Sequence, residues 1–215
     1  ESLVWNNSTT AYSDGNETLI APAENTTLNI TNAILPTNVV VKGDADVTFQ
    51  GDGYIAGSAS LNKAGKGTLS VNTSNDYKGA TVLHEGVFEF NSIANGGSKS
   101  AIGSSVEFAQ NWIWNGGTYR YTGGNATTNR SFQLLNNTTL EIANAGTKLT
   151  FNGSKIEGAG ETSSDKTFEL DGKGTLAPTG DLFANFNGAV KLTGGDLTID
   201  CSTTEERAKF NAIKK

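Results

Sequence analysis

The chain has 215 residues, with 16 Lys and Arg against 22 Asp and Glu, 26 Gly, 3 Pro, one Cys (Cys201), one His (His84) and no Met. With 36% hydrophobic residues and a mean hydropathy of -0.33 it is too lean for a wide globular core, and a narrow one is easier to fill. The net charge of -6 and only three Arg (Arg120, Arg130, Arg207) argue against nucleic acid as a partner, the lone Cys and His against disulfide frameworks, Cys/His zinc sites and a thiol–imidazole pair. No apolar run reaches the roughly 18 to 20 residues of a membrane-spanning helix.

In chain order, Leu3-Val4-Trp5 reads as an N-terminal cap, and short alternating segments follow. They are TLNITNAIL (27–35), NVVVKG (38–43), DVTFQG (46–51), TLSVN (68–72) and TVLHEGVFEF (81–90), then TLEIANAG (139–146), KLTFNG (148–153) and AVKLTGGDLTID (189–200). Each has the two-residue period of a strand with one buried face, bounded by Gly, Asn or Asp. Sequons such as Asn16-Glu17-Thr18, Asn29-Ile30-Thr31 and Asn125-Ala126-Thr127 would be glycosylation acceptors in a secreted eukaryotic protein. The simpler reading gives their Asn and Thr to turns and exposed strand faces. Only TTEERAKFNAIKK, at the end, hints at a helix, and the reading for the body is all-β.

Internal repetition turns these strands into an architecture. G-K-G-T-L occurs at 65–69 and again at 172–176; Tyr77-Lys78-Gly79-Ala80 then matches Phe186-Asn187-Gly188-Ala189, and Gly86 matches Gly195. Before each copy stand an apolar strand, a strand ending in Phe49 or Phe151, and Ile-x-Gly at 55–57 or 156–158. Short strands repeated between Gly and Asn are what a solenoid needs, since each coil buries its inward residues only against its neighbours. Residues 1–200 are therefore expected to be a single β-solenoid segment. It has two long units, about 38–105 and 139–200, joined by 106–138, and 201–215 is either a C-terminal tail or the start of a following module.

The stretch 61–105 resembles the autotransporter-associated β-strand repeat, also called the passenger-associated transport repeat, through Leu61, Lys63, Gly65, Gly67, Thr68, Leu69, Tyr77, Gly79, Thr81, Gly86 and Gly103. Residues 116–134 resemble the segment that links such repeats. The second copy departs from the pattern, with Asp171 in place of a small residue and LAPTGDLFANF in place of a Leu-x-Leu strand. The resemblance implies a right-handed parallel β-helix in an exported bacterial protein, secreted or on the outer cell surface. It implies no chemistry and no cofactor.

Catalysis finds little support in the residues. Asp44, Asp46 and Asp52 are the densest acidic group and flank turn glycines, but GDADVTFQGDG lacks the closing Glu of a calcium loop. His84 has no nucleophile in a recognisable setting, and NGGSKS (95–100) lacks phosphate-loop spacing. Binding is more open. In NWIWNGGTYRY, Trp112 and Trp114 share one face of a strand and Tyr119 and Tyr121 one face of the next. Facing outward, the four rings would form a platform for a polysaccharide or a host or plant glycan. Facing inward, they form a core stack and leave Arg120 in water, which the cost of desolvating a guanidinium favours. Three functions compete: a non-catalytic stalk, spacer or passenger scaffold working with flanking domains of a longer parent, a carbohydrate-binding accessory module, and a polysaccharide lyase or hydrolase.

Overall fold

Val, Ile, Leu, Thr and Phe alternate with polar residues in runs of three to six, too short for helices and bounded by residues that turn. The computed structural model, which describes residues 13–158, 165–179, 182–184 and 186–199, winds these runs into a parallel β-solenoid of about eight turns. One sheet stacks Glu17–Ile20, Asn38–Val41, Ser60–Lys63, Thr81–Leu83, Trp112–Trp114, Phe132–Leu134 and Ile156–Gly158. A second stacks Thr26–Asn29, Val47–Gln50, Thr68–Val71, Val87–Phe90, Thr118–Tyr121, Thr138–Ile142, Thr167–Gly172 and Ala189–Leu192. The third wall is interrupted: Ala33–Ile34 pairs with Tyr54–Ile55, and further on Ala126–Thr128, Lys148–Asn152, Thr175–Thr179 and Asp196–Leu197 form a sheet of their own.

Several segments that read as one strand in the sequence contain a corner. TVLHEGVFEF splits into Thr81–Leu83 in the first sheet and Val87–Phe90 in the second, with Gly86 at φ +78° between them. A Cβ at Gly86 would collide with the carbonyl oxygens of Gly65 and Gly67 in the coil beneath, so both the left-handed backbone and the close approach require glycine.

Parallel pairing puts like positions of successive coils one above another. In the second sheet Val47, Leu69, Phe88, Tyr119, Leu140 and Leu170 form one inward ladder, and Leu28, Phe49, Val71, Phe90, Tyr121 and Ile142 another. These residues are at most 7% exposed, and burial on both sides of each rung explains how a lean composition closes a core.

The abundant Asn and Asp bond coil to coil. Asp14 accepts a hydrogen bond from the N–H of Leu35, Asn25 from Asp46, Asp46 from Thr68, Asn125 from Lys148 and Asn137 from Thr167, all at 2.7–2.9 Å. Several of these side chains sit just before a strand, where the ladder of backbone bonds has not yet begun, and they satisfy the first N–H of the next coil.

The two G-K-G-T-L copies occupy different corners. The first joins Ser60–Lys63 of the first sheet to Thr68–Val71 of the second, whereas the second joins Thr167–Gly172 of the second sheet to Thr175–Thr179 of the third wall. Tyr77-Lys78-Gly79-Ala80 and Phe186-Asn187-Gly188-Ala189 are displaced by one wall in the same way. Both corners have the same physical task, bending the chain from one wall to the next and restarting an alternating strand, so the same residues serve at either. The second sheet runs without a break from Val87–Phe90 through Thr118–Tyr121 to Thr138–Ile142, across the stretch between the two units. The cap proposed at Leu3-Val4-Trp5, Cys201 and the 201–215 segment lie outside the described residues.

Thr81 pairs with Trp112, so the intervening coil carries a long excursion, 91–111. Ile93, Ala101 and Ile102 bury against the core, while Asn75 exchanges backbone hydrogen bonds with Ser100 in an antiparallel bridge. Arg130, only 1% exposed, reaches into this excursion and donates to the carbonyls of Ala94, Ser98 and Gly103 and to the Ser105 hydroxyl, at 3.0–3.3 Å.

Candidate interaction surface

The aromatic stretch lies where the first sheet turns into the second. Trp112–Trp114 and Thr118–Tyr121 are joined through Gly116 and Gly117, both at positive φ, and alternation sends Trp112, Trp114, Tyr119 and Tyr121 to the same, inward side. All four are at most 2% exposed. Trp114 stacks on Phe132 with centroids 3.9 Å apart, Trp112 packs edge-on against Tyr119 at 5.5 Å, and Tyr121 lies 5.2 Å from Phe90. The tyrosine hydroxyls donate to the carbonyls of Ile113 and Gly124, whereas the indole N–H groups of Trp112 and Trp114 find no acceptor. No ring of the four presents a face on which a sugar could stack. Burial also pushes the Tyr119 phenol well above its ordinary pKa, as expected where the ionised form would have no water.

Arg120 points the other way, out of the second sheet, as its alternation with the tyrosines requires. It stands between Glu89 of the preceding coil and Glu141 of the next, with N–O distances of 3.5 and 2.7 Å, and these contacts, Glu141 foremost, hold its guanidinium more firmly protonated. The register extends this outward row through Thr27, Thr48, Ser70, Glu89, Arg120, Glu141 and Asp171. Ser70 donates to Glu89 at 3.0 Å. Over the first five coils of the row lies an open groove of about 430 Å³, walled by Thr27, Thr48, Thr68, Ser70, Asp46 and Glu89 and closed at one end by Arg120.

The other residues singled out in the sequence are scattered. Asp44, Asp46 and Asp52 are all exposed; Asp46 lines the groove and is engaged by the Thr68 N–H. His84 is exposed at a corner, its Nδ1 3.2 Å from the Asn115 amide. Among the described residues no group of three or more His, Cys, Asp and Glu side chains is placed to hold a metal ion. A separate polar cluster joins Asp76, Lys78, Lys99 and Ser104: Ser104 donates to Asp76 at 2.6 Å, Lys78 stands 3.0 Å away, and together they hold the carboxyl below its usual pKa. Lys99 completes it, 3.8 Å above the Tyr54 ring.

Sequence reasoning missed the groove because its members are separated by whole coils. Thr48, Ser70 and Glu89 each look like an ordinary outward strand residue, and only the register aligns them. The available signal was the coil-to-coil spacing of about 20 residues between alternating segments.

Fold and surface together define a parallel β-solenoid with a closed apolar core, polar outer walls and no helix long and apolar enough to cross a membrane among the described residues. The chain is 29% identical over 217 residues to the adhesin BmaC autotransporter of Brucella suis biovar 1 (strain 1330), a match that takes in 89% of this chain and 6% of the adhesin. The solenoid is consistent with an autotransporter passenger β-helix. No family model and no solved structure matches the chain.

Proposed function

We propose that the chain is a non-catalytic β-helical segment of an exported bacterial cell-surface protein, an extended scaffold that holds adhesive surface away from the cell. The observation that carries this reading is the pair of unbroken parallel ladders in the first and second sheets, whose aromatic side chains all point inward, since such a stack can be lengthened coil by coil without a new core. Similarity to an autotransporter adhesin supports the same placement at the cell surface, and the chain spans 6% of that relative. Burial of Trp112, Trp114, Tyr119 and Tyr121 supports assigning them to scaffold rather than ligand contact. Carboxylates held by arginine, lysine or backbone N–H groups, as at Glu89, Glu141 and Asp46, are poorly suited to acid–base catalysis and support the non-enzymatic reading.

The test uses the full parent protein in its own host, with an epitope inserted after Gly97, at an open turn of the 91–111 excursion. Antibody is expected to label intact cells, and external protease is expected to remove the signal. Labelling only after lysis would overturn the proposal.

A further inference from the structure

We infer that the groove on the outer wall of the second sheet binds an uncharged oligosaccharide laid along the solenoid axis. The hydroxyls of Thr27, Thr48 and Thr68 line this groove and have no partner among the described residues, so each is available both to donate and to accept. Thr27 and Thr48 stand in register on adjacent coils, about 4.7–4.9 Å apart and close to the advance of one sugar unit in an extended glycan, while on the third coil Ser70 continues their row and Thr68 lies two residues to its side. A ligand running across the coils would therefore meet a fresh polar group at each unit.

Charge selects among the possible occupants. Arg120 is the groove's cation and is held between Glu89 and Glu141, which leaves it little attraction for a sulfated or sialylated chain. The same contacts occupy the carboxylates, Glu89 accepting from Ser70 as well and Asp46 from the Thr68 N–H, so a basic peptide finds few unengaged anions. A ligand rich in hydroxyls and without charge fits what remains: free hydroxyls flanked by fixed acceptors. This inference goes beyond the scaffold reading and does not depend on it, since the groove belongs to the chain itself.

The experiment probes the purified 215-residue chain with three sets: neutral oligosaccharides of glucose, mannose, galactose and N-acetylglucosamine; sulfated and sialylated oligosaccharides; and oligolysine. Binding is expected within the neutral set, insensitive to salt. The double variant Thr27→Val, Thr48→Val, which keeps side-chain shape and removes two hydroxyls, is expected to weaken it roughly tenfold or more. Thr150→Val, on the third wall, is expected to leave it unchanged, and circular dichroism of all variants should match the parent chain. No neutral ligand, preference for the charged glycans or for oligolysine, or binding indifferent to the double variant would each overturn the inference. Those failures leave the surface-labelling result untouched, so the two readings fall separately.

Discussion

Arg120 and the rings beside it are separated by single peptide bonds and by the whole thickness of the wall. Tyr119 and Tyr121 are 0 and 2% exposed, while the guanidinium between them lies outside among carboxylates. The tryptophans of the preceding strand follow the same rule, so truncating one should act as a core lesion. Trp112→Ala is expected to destabilise the chain by about 3–5 kcal/mol, read by chemical denaturation. Trp114→Phe should cost less, because the indole N–H that lacks an acceptor is removed with the ring. Lys63 puts a charge into the inward row of the first sheet, between Val41 and Leu83: it is 1% exposed, and its ammonium donates to the carbonyls of Ala64, Gly65 and Glu85. Burial pushes it from 10.5 down to about 8, with Glu85 pulling part of the way back. The folded value lies below the unfolded one, so between about 8 and 10.5 the unfolded chain binds more protons and stability rises with pH. The melting temperature of the parent chain should therefore gain on that of Lys63→Met between pH 8 and pH 10; a constant difference would refute the assignment.

Strands and loops owe their places to different forces. A strand such as Thr68–Val71 is short and weak alone, and its position comes from Leu69 and Val71 between the ladders above and below and from Asp46 accepting its first N–H. Each such Asx bond contributes about 0.5–1.5 kcal/mol, and repetition along the stack makes the sum substantial. The 91–111 excursion has no continuous ladder and depends on Arg130 instead. Arg130→Met would leave the carbonyls of Ala94, Ser98 and Gly103 without that donor and is expected to loosen the excursion by about 3 kcal/mol or more. Limited proteolysis should then cut within 95–99 many times faster, with amide exchange in Thr118–Tyr121 unchanged; unaltered cleavage would show that Ile93 and Ile102 hold the excursion without Arg130.

At the scale of the molecule, stability is a chain of neighbour contacts, strongest where the rings meet. Phe88, Phe90, Trp112, Trp114, Tyr119, Phe132 and Phe151 form one cluster of touching rings in the middle coils, whereas the coils before it are filled mainly by Val, Leu and Ile, with Phe49 and Tyr77 among them. Native-state amide exchange should be slowest in Trp112–Trp114 and Thr118–Tyr121 and quicken toward Glu17–Ile20 on one side and Ala189–Leu192 on the other. Uniform protection from end to end would mean that the stack opens as a single unit.

The sequence by itself determined that the chain is all-β and solenoidal, because period-two alternation and glycine at the corners are local properties carried by neighbouring residues. It also determined that Arg120 and the tyrosines face opposite ways, since a strand allows nothing else. Which side was inside, which walls each G-K-G-T-L corner joins, and which outward residues stand in a row were decided only by the tertiary structure. Those outcomes depend on coil register: one coil can lengthen, as between Thr81 and Trp112, without altering the pattern on either side of it. Thr27, Thr48 and Ser70 became neighbours through stacking, which short-range alternation does not encode.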